Sequence, residues 1–257
     1  MEKGRLFLLT AALLLLSPVA VMAQDEVEAT VKADFVSHYM WRGIDKGGLA
    51  VQPMGELRWK GLSLSAWGNA PLKDEDPTEL NIKLGYKWNG WNAGIIDYWT
   101  KGVDYKNRYL YYDNAAGPHV LEANIGYTCL WGSVQAYTRF FGPDYRPDGK
   151  RAFSTMVEVS VPFKLATLDW QARVGLTAFK SQGTREVLEV IGIVNKEYRN
   201  IDNYLYAGGP ACIEAALRAG KDIVIDSNTR VPAFIEVQAN PYTKQAGLVM
   251  GIGIVLE

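Results

Sequence analysis

Few residues in this chain have the chemistry for catalysis. His38 and His119 are its only two histidines, too few for a multi-histidine zinc site. Ser37 and His38 are neighbours in a period-two stretch, so their side chains leave opposite faces and cannot pair directly. A serine–histidine pair assembled from separate strands stays open, because such sites are defined by geometry and not by chain order. With it stays an alternative reading as a lipid hydrolase or acyltransferase. No phosphate loop, CxxC or dinucleotide fingerprint occurs. Cys129 and Cys212 are the only cysteines; a disulfide is chemically allowed outside the cytoplasm, and two unpaired small apolar side chains fit equally. No catalytic, cofactor-binding or metal-binding residue is assigned, and no cofactor is expected.

The charged residues carry more information. Lys and Arg number 27 against 28 Asp and Glu, a net charge of −1, so no basic stripe recommends nucleic acid as a partner. Many of these charges fall on the same face of alternating segments. The acids Asp34, Glu56, Glu79, Glu122, Glu158, Asp169, Glu214 and Glu236 share it. The bases Lys32, Arg58, Lys83, Arg139, Arg173 and Arg218 lie with them, and His38 and Arg42 extend the set. If the opposite, apolar face meets lipid, these residues line a lumen. Opposite charges in a narrow interior should pair, since a buried ion without a partner is costly. Two lumens satisfy that rule: one packed with ion pairs, or a water-filled channel with a slight cation preference. Gly247, Gly251 and Gly253 on the inner face of the last strand leave room inside.

These faces are set by period-two alternation, which dominates the chain almost to its end. In 27–41, Val27, Ala29, Val31, Ala33, Phe35, Tyr39 and Trp41 form the apolar side. Twelve strands are predicted, near 27–41, 49–59, 62–70, 78–88, 91–99, 119–130, 133–141, 152–163, 168–179, 209–220, 231–240 and 245–256. Most run nine to twelve residues, longer than the usual 5–6 of a globular sheet and matched to the roughly 9–11 of a tilted membrane strand. Stretches 185–194 and 222–226 could add strands, giving a range of 10 to 14. Short turns at Lys60-Gly61, Asn89-Gly90, Trp131-Gly132 and 164–167 alternate with longer links at 42–48, 71–77, 100–118, 142–151 and 180–208. That asymmetry is typical of an outer-membrane barrel. A soluble secreted β-sandwich, with a glycan-binding surface, also alternates and is the rival fold.

The first 23 residues read as a signal peptide, with Lys3 and Arg5 before an apolar run from Leu6 to Leu16 and small residues at 21–23. The apolar run is shorter than the roughly 20 residues of a membrane helix. The expected mature domain is 24–257. Aromatic placement favours lipid over a sandwich. Trp59, Trp88, Trp91 and Trp131 all stand beside short turns, where an interfacial girdle belongs, and Trp41 is expected in the corresponding outer belt. Tyrosines 105, 109, 111, 112, 198, 204 and 206 in the long links fit that belt or a sugar-binding surface.

The run "DFVSHYMWRGIDKGG" (34–48) resembles the opening motif of the TorF-type family of porin-like proteins. The similarity continues through "GLSLSAWGN" (61–69), "ELNIKLGYKW" (79–88) and "NAGIIDYW" (92–99), and fades in "HVLEANIGYT" (119–128). Its most specific element is Trp41-Arg42-Gly43. The resemblance implies a short bacterial outer-membrane β-barrel of unassigned substrate. Two roles are open for Arg42: a structural partner of carboxylates at the pore mouth, or part of a constriction that selects anionic solutes.

The sequence thus predicts an all-β, antiparallel transmembrane β-barrel of about twelve strands in the outer membrane of a diderm bacterium. Outer-membrane lipid and small solutes are the expected partners, and the expected role is solute passage or envelope structure. No feature of the sequence indicates an oligomeric state.

Overall fold

The computed structural model describes residues 27–101, 109–115, 117–146, 148–183 and 204–257, and the backbone alone of 186–188 and 197–199. The signal-peptide stretch and most of 185–194 lie outside the described residues. In chain order the strands are β1 (Val27–Val36), β2 (Tyr39–Trp41), β3 (Ile44–Gly47), β4 (Ala50–Trp59), β5 (Leu62–Pro71), β6 (Glu79–Trp88), β7 (Trp91–Thr100) and β8 (His119–Cys129). There follow β9 (Gly132–Phe141), β10 (Thr155–Leu165), β11 (Leu168–Thr177), β12 (Glu186–Leu188), β13 (Glu197–Arg199), β14 (Ala211–Val224), β15 (Thr229–Asn240) and β16 (Gln245–Leu256).

Twelve of them close into one antiparallel barrel in the order β1, β4 to β11, then β14 to β16, which pairs back onto β1. A closed single sheet corrects the sandwich alternative. It also leaves no unpaired edge, the condition any membrane-spanning sheet must meet. Of the two ambiguous stretches, 222–226 contributes its first three residues to β14, and Glu186–Leu188 pairs with Glu197–Arg199 as a separate two-stranded hairpin.

Turn chemistry sets the register. Lys60-Gly61 and Asn89-Gly90 both have positive φ (46° and 89°; 46° and 83°), the two-residue turn whose twist matches paired strands. Across these turns Trp59 faces Leu62 and Trp88 faces Trp91. With register fixed, the side-chain period of two sends one set outward and the other inward. Leu57, Leu64, Leu84 and Ile95 stand side by side on four neighbouring strands, and each is about half exposed or more. Val159, Val161, Leu217, Val237, Leu248, Met250 and Ile252 continue the exposed apolar wall around the barrel. Trp59, Trp88, Trp91 and Trp131 are all exposed on the short-turn side, Trp131 most of all at 79%.

The largest departure from the predicted strands lies in 37–49. Alternation in the sequence runs on to Trp41, but β1 stops at Val36. Ser37 ends it: its backbone N–H donates to the Met250 carbonyl, and its hydroxyl oxygen accepts from the Met250 N–H, both at 2.8 Å. After that break β2 and β3 form a hairpin of their own, separate from the barrel sheet. Its tip is Arg42-Gly43, again a pair with positive φ (51° and 74°), between the facing residues Trp41 and Ile44.

Candidate functional site: a hairpin seated in the lumen

The β2–β3 hairpin folds into the barrel. Arg42 at its tip is 8% exposed and meets Glu122 of β8, which is wholly buried, through two parallel bonds of 2.8 and 2.7 Å. Such a fork-to-carboxylate pair is the strongest and most directional ion pair a protein makes. Arg42 also donates to the Tyr206 hydroxyl at 2.5 Å, and Tyr98 donates to Glu122 at 3.0 Å. Burial pushes the Tyr206 phenol up, opposed by the Arg42 charge beside it, so it meets Arg42 as a neutral acceptor. The guanidinium lies over the rings of Trp41 and Tyr137, 4.6 and 4.1 Å from their centres, a stacking mode open to Arg and not to a point-charge amine.

The rest of the hairpin is fastened around this centre. The Gly43 N–H donates to Gln238 of β15 at 3.1 Å, and Gln238 in turn donates to Glu214 at 2.8 Å. The Tyr39 hydroxyl donates to Glu79 at 3.0 Å, and Lys46 pairs with the same carboxylate at 2.9 Å. His38 pairs with Asp45 across the hairpin at 2.9 Å. Trp41, expected in the lipid-facing belt, is instead inside, with Arg42, Tyr98 and Tyr206 around it. The physical reason is the break at Ser37, which frees the segment from the barrel's alternation.

Gly43 has no substitute at this tip. Its φ of 74° disfavours any side chain, and a Cβ there would collide with the Ile213 carbonyl. Gly43→Ala is expected to unseat the tip by about 1–2 kcal/mol. Trypsin cleavage of the folded barrel after Arg42 and Lys46 should then rise about tenfold or more, while the rest of the barrel stays resistant. Unchanged cleavage would mean that the tip is not held this way.

The remaining predicted lumenal residues distribute as follows. Arg173 bridges Glu236 at 2.7 Å and Glu214 at 3.2 Å, and Arg218 approaches Glu236 at 3.8 Å while lying 3.5 Å over Phe234. Lys32 pairs with Asp34 at 2.6 Å and Arg58 with Glu56 at 2.5 Å, each along one strand. Arg139 bonds the Gln182 side chain at 3.0 Å, and Asp169 pairs with Lys164 at 3.3 Å near a short turn. Lys83 and Glu158 make no ion pair among the described residues. The room expected over the glycines of the last strand is taken up: Met40 lies against Gly247, Phe234 against Gly251 and Asp34 against Gly253.

Gln238 and Tyr98 also face inward by alternation, but they carry no charge and so do not stand out from the pattern of charged residues. Tyr206 has no local signal, because it enters from the 204–210 link, where a tyrosine fits an interfacial belt or a sugar-binding surface equally well. Tyr206 and Ala207 pack with Met156 and Ile213 in a small buried apolar cluster. The other loop tyrosines divide. Tyr112 stacks on His119 at 3.9 Å and donates to Asp97 at 2.6 Å, and Tyr109 packs on Trp99 and His119. The side chains of Tyr105 and Tyr198 lie outside the described residues. His119 is held by Asp97 at 2.8 Å and by the Tyr109 carbonyl. Neither histidine has a serine partner among the described residues, so the geometry a hydrolase reading requires is not met there. Both cysteines are free.

Below the hairpin, between it and the inner wall, lies a cavity of about 380 Å³. No family model and no curated protein matches the chain. Three solved structures resemble it at the level of the backbone. One described as the NanC porin is 9% identical over 90% of this chain and 100% of that one, with a TM-score of 0.40. The CymD monoaromatic hydrocarbon channel is 12% identical over 97% and 91%, with a TM-score of 0.41. Salmonella typhi OmpF in complex with daunomycin is 8% identical over 90% and 97%, with a TM-score of 0.34. At these values the similarities assign the chain neither a family nor a solute.

Proposed function

We propose that this protein is an outer-membrane β-barrel, delivered by removal of residues 1–23, whose lumen admits small solutes past a seated hairpin. One observation carries the reading: a closed barrel whose outer wall is exposed and apolar while its inner wall is charged. Soluble monomers rarely expose continuous apolar surface beyond a few hundred Å², so a belt around a whole barrel calls for an apolar solvent. The tryptophan ring on the short-turn side fits the boundary of that solvent. The hairpin lends support to each of the two lumens left open by the sequence. Its ion pairs pack the upper lumen, and the cavity beneath it stays open. The TorF-type resemblance over 34–128 is in keeping with this reading.

Refolded protein in a planar bilayer should give small, discrete conductance steps. A bilayer that stays silent under every potential tried would remove the passage reading and leave a structural role in the envelope. The girdle has a separate test. Alanine at Trp88 and Trp91 together should lower the stability of the barrel in vesicles by about 2 kcal/mol per ring, read from urea midpoints. An unshifted midpoint would place those rings in water.

A further inference from the structure

We propose that the cavity beneath the hairpin is a binding chamber for a ring-bearing hydroxy acid, one carboxylate on a hydroxylated ring. The inference rests on the reading above only for how such a solute arrives. Three features of the wall define the ligand. Lys83 of β6 lines the chamber and makes no ion pair among the described residues; the carboxylates whose charge it feels, Glu56 and Glu122, are each held by an arginine. Arg218 also lines the chamber, but it is engaged with Phe234 and Glu236. Glu236, the carboxylate on the wall, is itself held by Arg173 at 2.7 Å. The uncommitted charge facing the chamber is therefore positive, and an anion is the solute that completes it.

The second feature is Asn81, two residues before Lys83 on the same inner face. Its side-chain amide lines the chamber, and a hydroxyl on the solute can hydrogen-bond it. Third, the chamber is walled by rings: Trp67 and Tyr98 lie on the strands flanking Lys83, and Phe234 joins the lining with one face covered by Arg218. Flat aromatic walls favour a solute with a ring face to lay against them. The volume of about 380 Å³ falls at the small end of ligand pockets, roughly 300–1,000 Å³, and suits a single ring with its substituents. Carboxylate, hydroxyl and ring are found together in phenolic acids and in sugar acids, and the chamber's chemistry is common to both.

Detergent-solubilised, refolded protein titrated calorimetrically with 4-hydroxybenzoate and with glucuronate tests this without any bilayer. At least one acid should bind, and its methyl ester should bind about tenfold or more weakly, the loss of one charge-assisted contact. Lys83→Gln should weaken the acid to the same degree while leaving the ester unchanged, and Lys83→Arg should retain most of the binding. Heat-modifiable migration of each variant verifies that the barrel has formed, and the ester comparison on unaltered protein stands even if a variant does not fold. Which acid binds decides between the phenolic and the sugar source. Binding of neither acid, or equal binding of acid and ester, would overturn the proposal. Binding in detergent together with a silent bilayer would keep the chamber and remove the passage reading. Conductance without binding would do the reverse.

Discussion

Arg42→Ala is expected to destabilise the seated hairpin by about 3–5 kcal/mol, the cost of leaving one member of a buried ion pair behind. Glu122 has no exposure in the folded protein, and its remaining bond from Tyr98 cannot replace a bidentate cation. The loss has an outlet other than unfolding. The hairpin is tied to the barrel by side chains and not by sheet pairing, so it can leave and water can reach Glu122. The expected result is an assembled, heat-modifiable barrel with conductance steps several-fold larger than those of the unaltered protein. Arg42→Lys should lie between the two, since an ammonium cannot make the two-pronged contact or stack as a guanidinium does. Pairing Arg42→Ala with Glu122→Gln in a double-mutant cycle should give a coupling of about 2–3 kcal/mol. Independent effects would mean that the two side chains do not hold one another.

The second large effect concerns the outer wall. Leu84→Arg places a cation in the exposed apolar row shared by Leu57, Leu64 and Ile95. It should cost about 2–4 kcal/mol if that row faces the bilayer midplane. Thr30→Arg is the matched control. Thr30 points into the lumen and faces Glu56 in the sheet register, so an added cation there should change stability by less than about 1 kcal/mol. Urea titrations of the refolded barrels in vesicles give both numbers. Equal costs at the two positions would mean that the wall does not separate lipid from lumen.

The barrel wall was legible in the sequence because one physical rule governs it from end to end. Each strand keeps its apolar residues on one face, each short turn sets the next register, and β16 ends at Leu256 as expected. Charged residues such as Arg173, Glu214 and Glu236 could be placed on the inner face by parity alone. The hairpin was not legible for the same reason. Tyr39 and Trp41 continue the period of β1 across Ser37-His38, so alternation carries no mark of the break. The strand breaks where the Ser37 hydroxyl accepts the Met250 N–H in place of the Ser37 carbonyl, a bond between residues distant in the chain. The Arg42-Gly43 tip did carry a local signal, a glycine beside a residue able to take positive φ, but it read as a strand exit. Tyr206 and Gln238 complete the Arg42 site from links and strands far along the chain, and their convergence is a property of closure that no local pattern encodes.

The most direct measurement of the central claim, that the apolar outer wall meets lipid, is fractionation of cells producing the protein. Carbonate-washed membranes should retain the chain, and it should migrate faster in a detergent gel before boiling than after, as a closed barrel resistant to detergent does. Recovery in the soluble fraction, with identical migration before and after boiling, would contradict it.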